Sequence, residues 1–199
     1  MSALAADAPL LGFADPVDDA QRIFRQVLDA LAHPGRIVAI DAPADLPPGP
    51  LGRAALGTAL ALLDFETPLW LDEAASAARA HLRFHCNCPK AETPGGASFA
   101  FLGDPAVLPT LDSFALGTDA YPDRSTTLVI EVRALADDGD LTLSGPGIED
   151  RTRLGIEGLP AGFWAKRAAL APLFPCGIDL ILTCGDRLAA LPRTTRVEE

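Results

Sequence analysis

Phe174-Pro175-Cys176-Gly177-Ile178-Asp179-Leu180-Ile181-Leu182-Thr183-Cys184-Gly185-Asp186, closed by Leu191-Pro192-Arg193-Thr194-Thr195, is the stretch that decides the fold. Ile178 to Cys184 has the length and apolar character of a buried strand. Gly185-Asp186 marks a tight turn, and Arg187 to Leu191 is the returning strand. One polar residue, Asp179, interrupts the apolar run, and an unpaired carboxylate there is costly. Arg193 is the nearest cation beyond the turn. The leading reading of the two is a structural ion pair. Anion binding or an anchor on a partner surface are the other roles open to Arg193, and to Arg83 in Leu82-Arg83-Phe84-His85.

Upstream of the hairpin, helix and strand patterns interleave. Pro16 to Ala32 is the clearest helix: Asp15 suits the N-cap, Pro16 the first helical position, and Asp18 and Asp19 the first turn. Ala20, Ile23, Phe24, Val27, Leu28 and Leu31 recur at helical spacing, and His33-Pro34-Gly35 stops the helix. Strands are expected at 36–40, 67–71, 81–85, 97–102 and 126–132, with another starting at 141–143. Helices are expected at 51–63, 73–80 and 163–173. Residues 104–125 read as irregular, and 145–162 as a Gly- and Pro-rich surface loop. Lys166 reads as lying on a surface helix, next to Arg167. The expected fold class is α/β, a mixed sheet flanked by helices. One domain spans 1–199, with residues 1–14 a loose arm.

Composition narrows the function classes. Of the 199 residues 49% are apolar, enough for a core, and 22% are charged. The net charge is −11, and Lys90 and Lys166 are the two lysines. A basic face for nucleic acid or an anionic membrane is therefore not expected. No run reaches the roughly 18 apolar residues of a spanning helix, and the first residues lack a signal-peptide pattern. The expected location is the cytoplasm.

Motifs for familiar chemistry are incomplete. His85-Cys86-Asn87-Cys88 offers three ligand types, but no second pair completes a zinc set. Ser144-Gly145-Pro146-Gly147 follows a strand as phosphate loops do, yet Ile148-Glu149-Asp150 stands where a Walker loop needs Lys-Ser/Thr. Neither lysine is placed for a Schiff base, and no G-x-S-x-G occurs. The residues name no catalytic group, no metal ligand and no cofactor-binding residue. The candidate ligand or interface residues are Arg83, His85, Gly145, Gly147, Asp179, Arg193 and Thr194.

Several stretches, in order, carry a family resemblance: Asp19-Ala20-Gln21 with Phe24-Arg25 and Pro34-Gly35; Leu63-Asp64 with Thr67-Pro68 and Trp70-Leu71; Leu82-Arg83-Phe84-His85; Gly117-Thr118; Gly145-Pro146-Gly147-Ile148; and the Phe174 to Thr195 end. Together they resemble the PhnH family, the H subunit of the bacterial carbon–phosphorus lyase system, which draws phosphorus from alkylphosphonates in phosphate starvation. The family usually has Thr where Cys86 stands and Leu where Cys176 stands. The resemblance implies a fold like the large domain of pyridoxal-phosphate transferases without the cofactor. It implies a core complex with the G, I and J subunits. It also implies a part, with the I, G and L proteins, in replacing the adenine of ATP by an alkylphosphonate, giving ribose 1-methylphosphonate 5-triphosphate. ATP and Mg are expected for that complex and not for this chain alone, whose role would be structural. A homodimer is expected when the chain is isolated. The alternative is a small stand-alone enzyme or binding protein for a phosphorylated or phosphonate ligand, using Arg83, Arg193 and the Gly145–Gly147 loop.

Overall fold

A computed structural model describes residues 11–44, 46 and 49–199. Of the arm expected at the N-terminus, residues 1–10 lie outside the described residues, and residues 11–14 form no helix or strand. The expected hairpin is strand β9 (Asp179–Cys184) and strand β10 (Arg187–Leu191), paired antiparallel from Arg187↔Cys184 to Leu191↔Leu180. They form the middle of a six-stranded mixed sheet with β1 (Ile37–Ala39), β2 (Leu69–Leu71), β3 (Phe99–Leu102) and β6 (Thr127–Glu131), in the order β1-β10-β9-β6-β3-β2. Strands β2, β3, β6 and β9 run parallel; β10 reverses against β9, and β1 against β10.

Strand pleating sends successive side chains to opposite faces, so a strand covered on both sides reads as continuously apolar. Val129 and Ile181 join the core on one face, with Ile23, Val27, Leu56 and Phe101. Leu128, Ile130, Leu180 and Leu182 join the other, with Phe163, Trp164 and Leu143. The first face is covered by α1 (Pro16–Ala32), α2 (Arg53–Leu62) and α3 (Arg79–Cys86). Asp15 caps α1 as expected, accepting from the backbone N–H groups of Val17 and Asp18. The second face is covered by α4 (Phe163–Ala168) and a three-stranded sheet, β11 (Arg196–Glu198), β7 (Ala134–Ser144) and β8 (Thr152–Glu157).

Four expectations need correction. The strand expected at 81–85 is helix α3, because Leu82 and Cys86 both pack inward against α2 and the sheet, four residues apart. Asn87, at φ 51°, ends it in the left-handed region. The irregular stretch 104–125 contains a hairpin of β4 (Leu116–Thr118) and β5 (Tyr121–Ser125). Residues 145–162 contain β8, which pairs with the eleven-residue β7; only the end of β7 was foreseen, at Leu141 to Leu143. The last helix stops at Ala168, and a 3-10 turn follows at Ala171–Leu173.

Candidate functional site

Arg193 lies just past β10, where Pro192 ends the strand. Its guanidinium reaches back across the sheet end to Asp179, the first residue of β9. The backbone N–H of Arg193 donates to Asp179 Oδ1 at 2.7 Å and its Nε–H to the same oxygen at 3.2 Å, while Nη2 donates to Oδ2. Nη1 donates to the carbonyls of Pro122 (2.9 Å) and Pro175 (3.1 Å), and Nη2 also donates to Ser125 Oγ. An arginine has five N–H donors, and all five are engaged. The expected ion pair is present. The pair also fastens the β4–β5 hairpin and the Phe174-Pro175 segment, which has a cis peptide bond, to the central sheet. No donor is left for a ligand.

Gly145 and Gly147 shape a turn beside the end of α1 and the residues that follow Arg193. A Cβ on Gly147 (φ +86°) would sit 2.3 Å from the Ala32 carbonyl and 2.7 Å from Pro34 Cδ at the end of α1. A Cβ on Gly145 (φ +132°) would sit 2.9 Å from the Thr194 carbonyl. The loop thus packs between the end of α1 and the 192–195 segment, and its glycines serve close approach.

Arg83 belongs to another surface. It lies exposed on α3 and lines a shallow depression with Arg79, Phe84 and Asn87. His85 is also exposed; its ring lies 4.6 Å from that of His81 and 5.0 Å from that of Phe84. Arg193 and Thr194 line a different cavity, so the set Arg83, Arg193 and the glycine loop is not brought together in one pocket. The residues around His85 also diverge: Cys86 and Cys88 are buried, their thiols donating to the carbonyls of Ala59 (3.8 Å) and Leu82 (3.9 Å). Burial pushes the Cys86 thiol up to about 12.

Sequence reasoning missed Arg167. The sequence reading gives it no role beyond standing next to Lys166; the structure buries it beside Phe163 and Trp164. Its Nη1 donates to the Thr195 carbonyl at 2.8 Å, and Nη2 to those of Pro192 (2.7 Å) and Leu191 (3.4 Å). Burial pulls the guanidinium down to about 10, against the opposing effect of the Asp179 charge. The signal was the spacing Phe163, Trp164, Arg167, which places three side chains on one helix face. Between α4 and residues 193–197 lies a groove of about 360 Å³, lined by Arg167, Arg193, Thr194, Arg196, Trp164 and Phe174 among others.

Comparison with known proteins follows the whole of this architecture. The family model "Bacterial phosphonate metabolism protein (PhnH)" matches residues 11–198. A Rhizobium meliloti (strain 1021) protein named alpha-D-ribose 1-methylphosphonate 5-triphosphate synthase subunit PhnH is 45% identical over 188 residues, covering 94% of each chain. HtxG of Stutzerimonas stutzeri, named as a C-P lyase subunit protein, is 29% identical over 177 residues, covering 89% of this chain and 85% of its own.

Proposed function

The chain belongs to the PhnH family of bacterial phosphonate metabolism proteins, and we propose that it works as a subunit of a carbon–phosphorus lyase system. In this reading it acts with the G, I and L proteins where the adenine of ATP is exchanged for methylphosphonate. A phosphonate oxygen takes the place of the adenine nitrogen at the ribose C1 position, adenine leaves, and the triphosphate stays on the sugar. The role of this chain is assembly: it joins the G, I and J subunits and leaves the chemistry to a partner. ATP and Mg belong to the complex.

The observation that carries the assembly role is Arg193. The most recognisable part of the sequence ends in an arginine whose donors all serve the chain's own fold. Surface composition supports the same reading. Large apolar side chains are left exposed on the helical face, Phe24 and Leu28 on α1, Phe65 after α2 and Phe84 on α3, and such exposure marks contact surfaces. The same surface is the basis for homodimerisation of the isolated chain. No helix among the described residues is long and apolar enough to cross a membrane.

The proposal extends to a pyridoxal-transferase-like fold without its cofactor. In support, Lys90 is exposed and paired with Glu92 at 2.7 Å, and Lys166 is exposed on α4. The isolated protein should be colourless and take up no pyridoxal phosphate.

The test is reconstitution. The chain is co-expressed with the G, I and J subunits and pulled down. Methylphosphonate-dependent release of adenine from ATP is then measured with the G, I and L proteins, with and without it. Retention on the complex together with dependence of adenine release on the chain is the expected result. Adenine release at the full rate without the chain, or failure to co-purify, overturns the reading.

A further inference from the structure

The groove between α4 and residues 193–197 has a charge balance opposite to that of the chain as a whole. The chain as a whole carries −11, yet Arg167, Arg193 and Arg196 line this groove and no carboxylate does. The three arginines are not equivalent. Arg193 is neutralised by Asp179. Arg167 is buried, with 9% exposure, and meets only carbonyl oxygens, which satisfy hydrogen bonds without cancelling charge. Its Nε–H and the Thr195 hydroxyl are buried without a hydrogen-bond partner, and both residues line the groove. Arg196 is exposed on β11 and forms no ion pair among the described residues. Two guanidinium charges therefore face one cavity that no carboxylate lines; the Asp179 charge acts on Arg167 but is already paired with Arg193. In a cleft with low-dielectric walls such charges draw an anion, and arginine is suited to oxyanions by its planar donor fork.

Part of the lining is apolar. Ala171 belongs to it, and so does Phe174, with 65% of its surface exposed. A volume of about 360 Å³ falls in the range of small-molecule sites.

We propose that this groove binds a small phosphate- or phosphonate-bearing molecule, its oxyanion facing Arg167 and Arg196 and its carbon-bearing part lying on Phe174 and Ala171. The inference rests on local charge and shape and stands apart from the assembly role. A free phosphonate and the phosphate chain of a nucleotide share the required chemistry.

The experiment titrates the full chain, by calorimetry at low salt, with methylphosphonate, inorganic phosphate and ATP in separate runs. At least one should give saturable heat and raise the melting temperature. Arg196→Gln removes one exposed charge without touching the core. It should weaken that binding roughly tenfold, as expected for one charge-assisted hydrogen bond, with an unchanged melting temperature for the ligand-free chain. Phe174→Ala should weaken ATP and leave inorganic phosphate as it was. Arg22→Gln, on α1, should change nothing. Arg167→Gln also frees three carbonyls and will lower stability, so the decision rests on Arg196→Gln. The proposal is overturned if none of the three molecules binds, or if Arg196→Gln binds as well as the parent. If no small oxyanion binds and Arg196→Gln instead loses partner subunits, the groove receives a partner's acidic side chain and the small-ligand proposal falls.

Discussion

Replacing Arg193 by alanine removes the one side chain that ties four segments together. The guanidinium is 16% exposed and the Asp179 carboxylate 24% exposed, so the pair is mostly shielded from water. Breaking such a pair from one side costs about 3 to 5 kcal/mol, because the remaining charge stays buried. Two features set the value at the lower end. The Arg193 backbone N–H keeps donating to Asp179 Oδ1, and the residual exposure lets water reach the carboxylate. The expected loss is about 3 kcal/mol, equivalent to a melting temperature lower by roughly 6 to 12 °C in a chain of this size. Urea unfolding of Arg193→Ala, Asp179→Asn and the double variant would show it. The double variant should be at least about 1 kcal/mol better than the sum of the singles, since both act on one interaction. Hydrogen exchange should quicken through Leu116 to Ser125, because Pro122 and Ser125 lose their clamp. A loss below about 0.5 kcal/mol, the range of an ordinary surface substitution, would refute the clamp and return Arg193 to a contact role.

Three further outcomes are expected. Gly147→Ala should cost about 2 kcal/mol or more, since its Cβ would meet the Ala32 carbonyl in a left-handed backbone; wild-type stability by urea titration would contradict that packing. Alkylation of the native chain should modify the half-buried Cys176 and Cys184 first. Cys86 and Cys88 should react only on unfolding, because burial raises both thiols; mass spectrometry showing Cys86 labelled at the same rate would refute this. His81 is 2% exposed, its ring nitrogens have no partner, and burial with the nearby His85 lowers its pKa from the ordinary 6.5. As pH falls below 6.5 the unfolded chain takes up a proton that the folded chain refuses, so stability falls until the folded pKa is reached. The slope from this residue approaches 1.4 kcal/mol per pH unit at most, and His81→Phe should reduce the measured slope in that window; an unchanged slope would exclude His81 as its source.

The parts of the fold legible in sequence were those in which local pattern and tertiary demand agree. Helix α1 has its cap, its first-turn acids and its apolar stripe, and Leu180 to Leu182 of β9 and Leu188 to Leu191 of β10 form continuous apolar runs because both sheet faces are covered. Helix α3 was misread because Leu82 and Phe84 alternate with Arg83 and His85, as a strand would; the packing of Leu82 and Cys86 decides for helix. Strand β7 was hidden by Asp137, Asp138, Gly139 and Asp140, which fall at its register shift; the three carboxylates face water, and Gly139 packs on the Gly155 backbone. Arg193 and Asp179 were legible because a carboxylate in an apolar strand demands a cation. The groove was not: the spacing Phe163, Trp164, Arg167 could turn Arg167 inward, but only the tertiary packing of the 192–195 segment over it makes a cavity there.

The order of strands in the central sheet sets the order in which the chain can become itself. Strands β9 and β10 come near the end of the sequence but stand in the middle of the sheet, between β6 on one side and β1 on the other. Until they leave the ribosome, β1 with the cover of α1 has no partner strand, and the β2-β3-β6 half has an open, apolar edge of the kind that pairs with the wrong neighbour. Vectorial synthesis therefore cannot complete this domain piecemeal. The nascent chain must hold its apolar strands in waiting, in the state most open to chaperones and to aggregation, and close in one late step when the C-terminal hairpin slides between its halves.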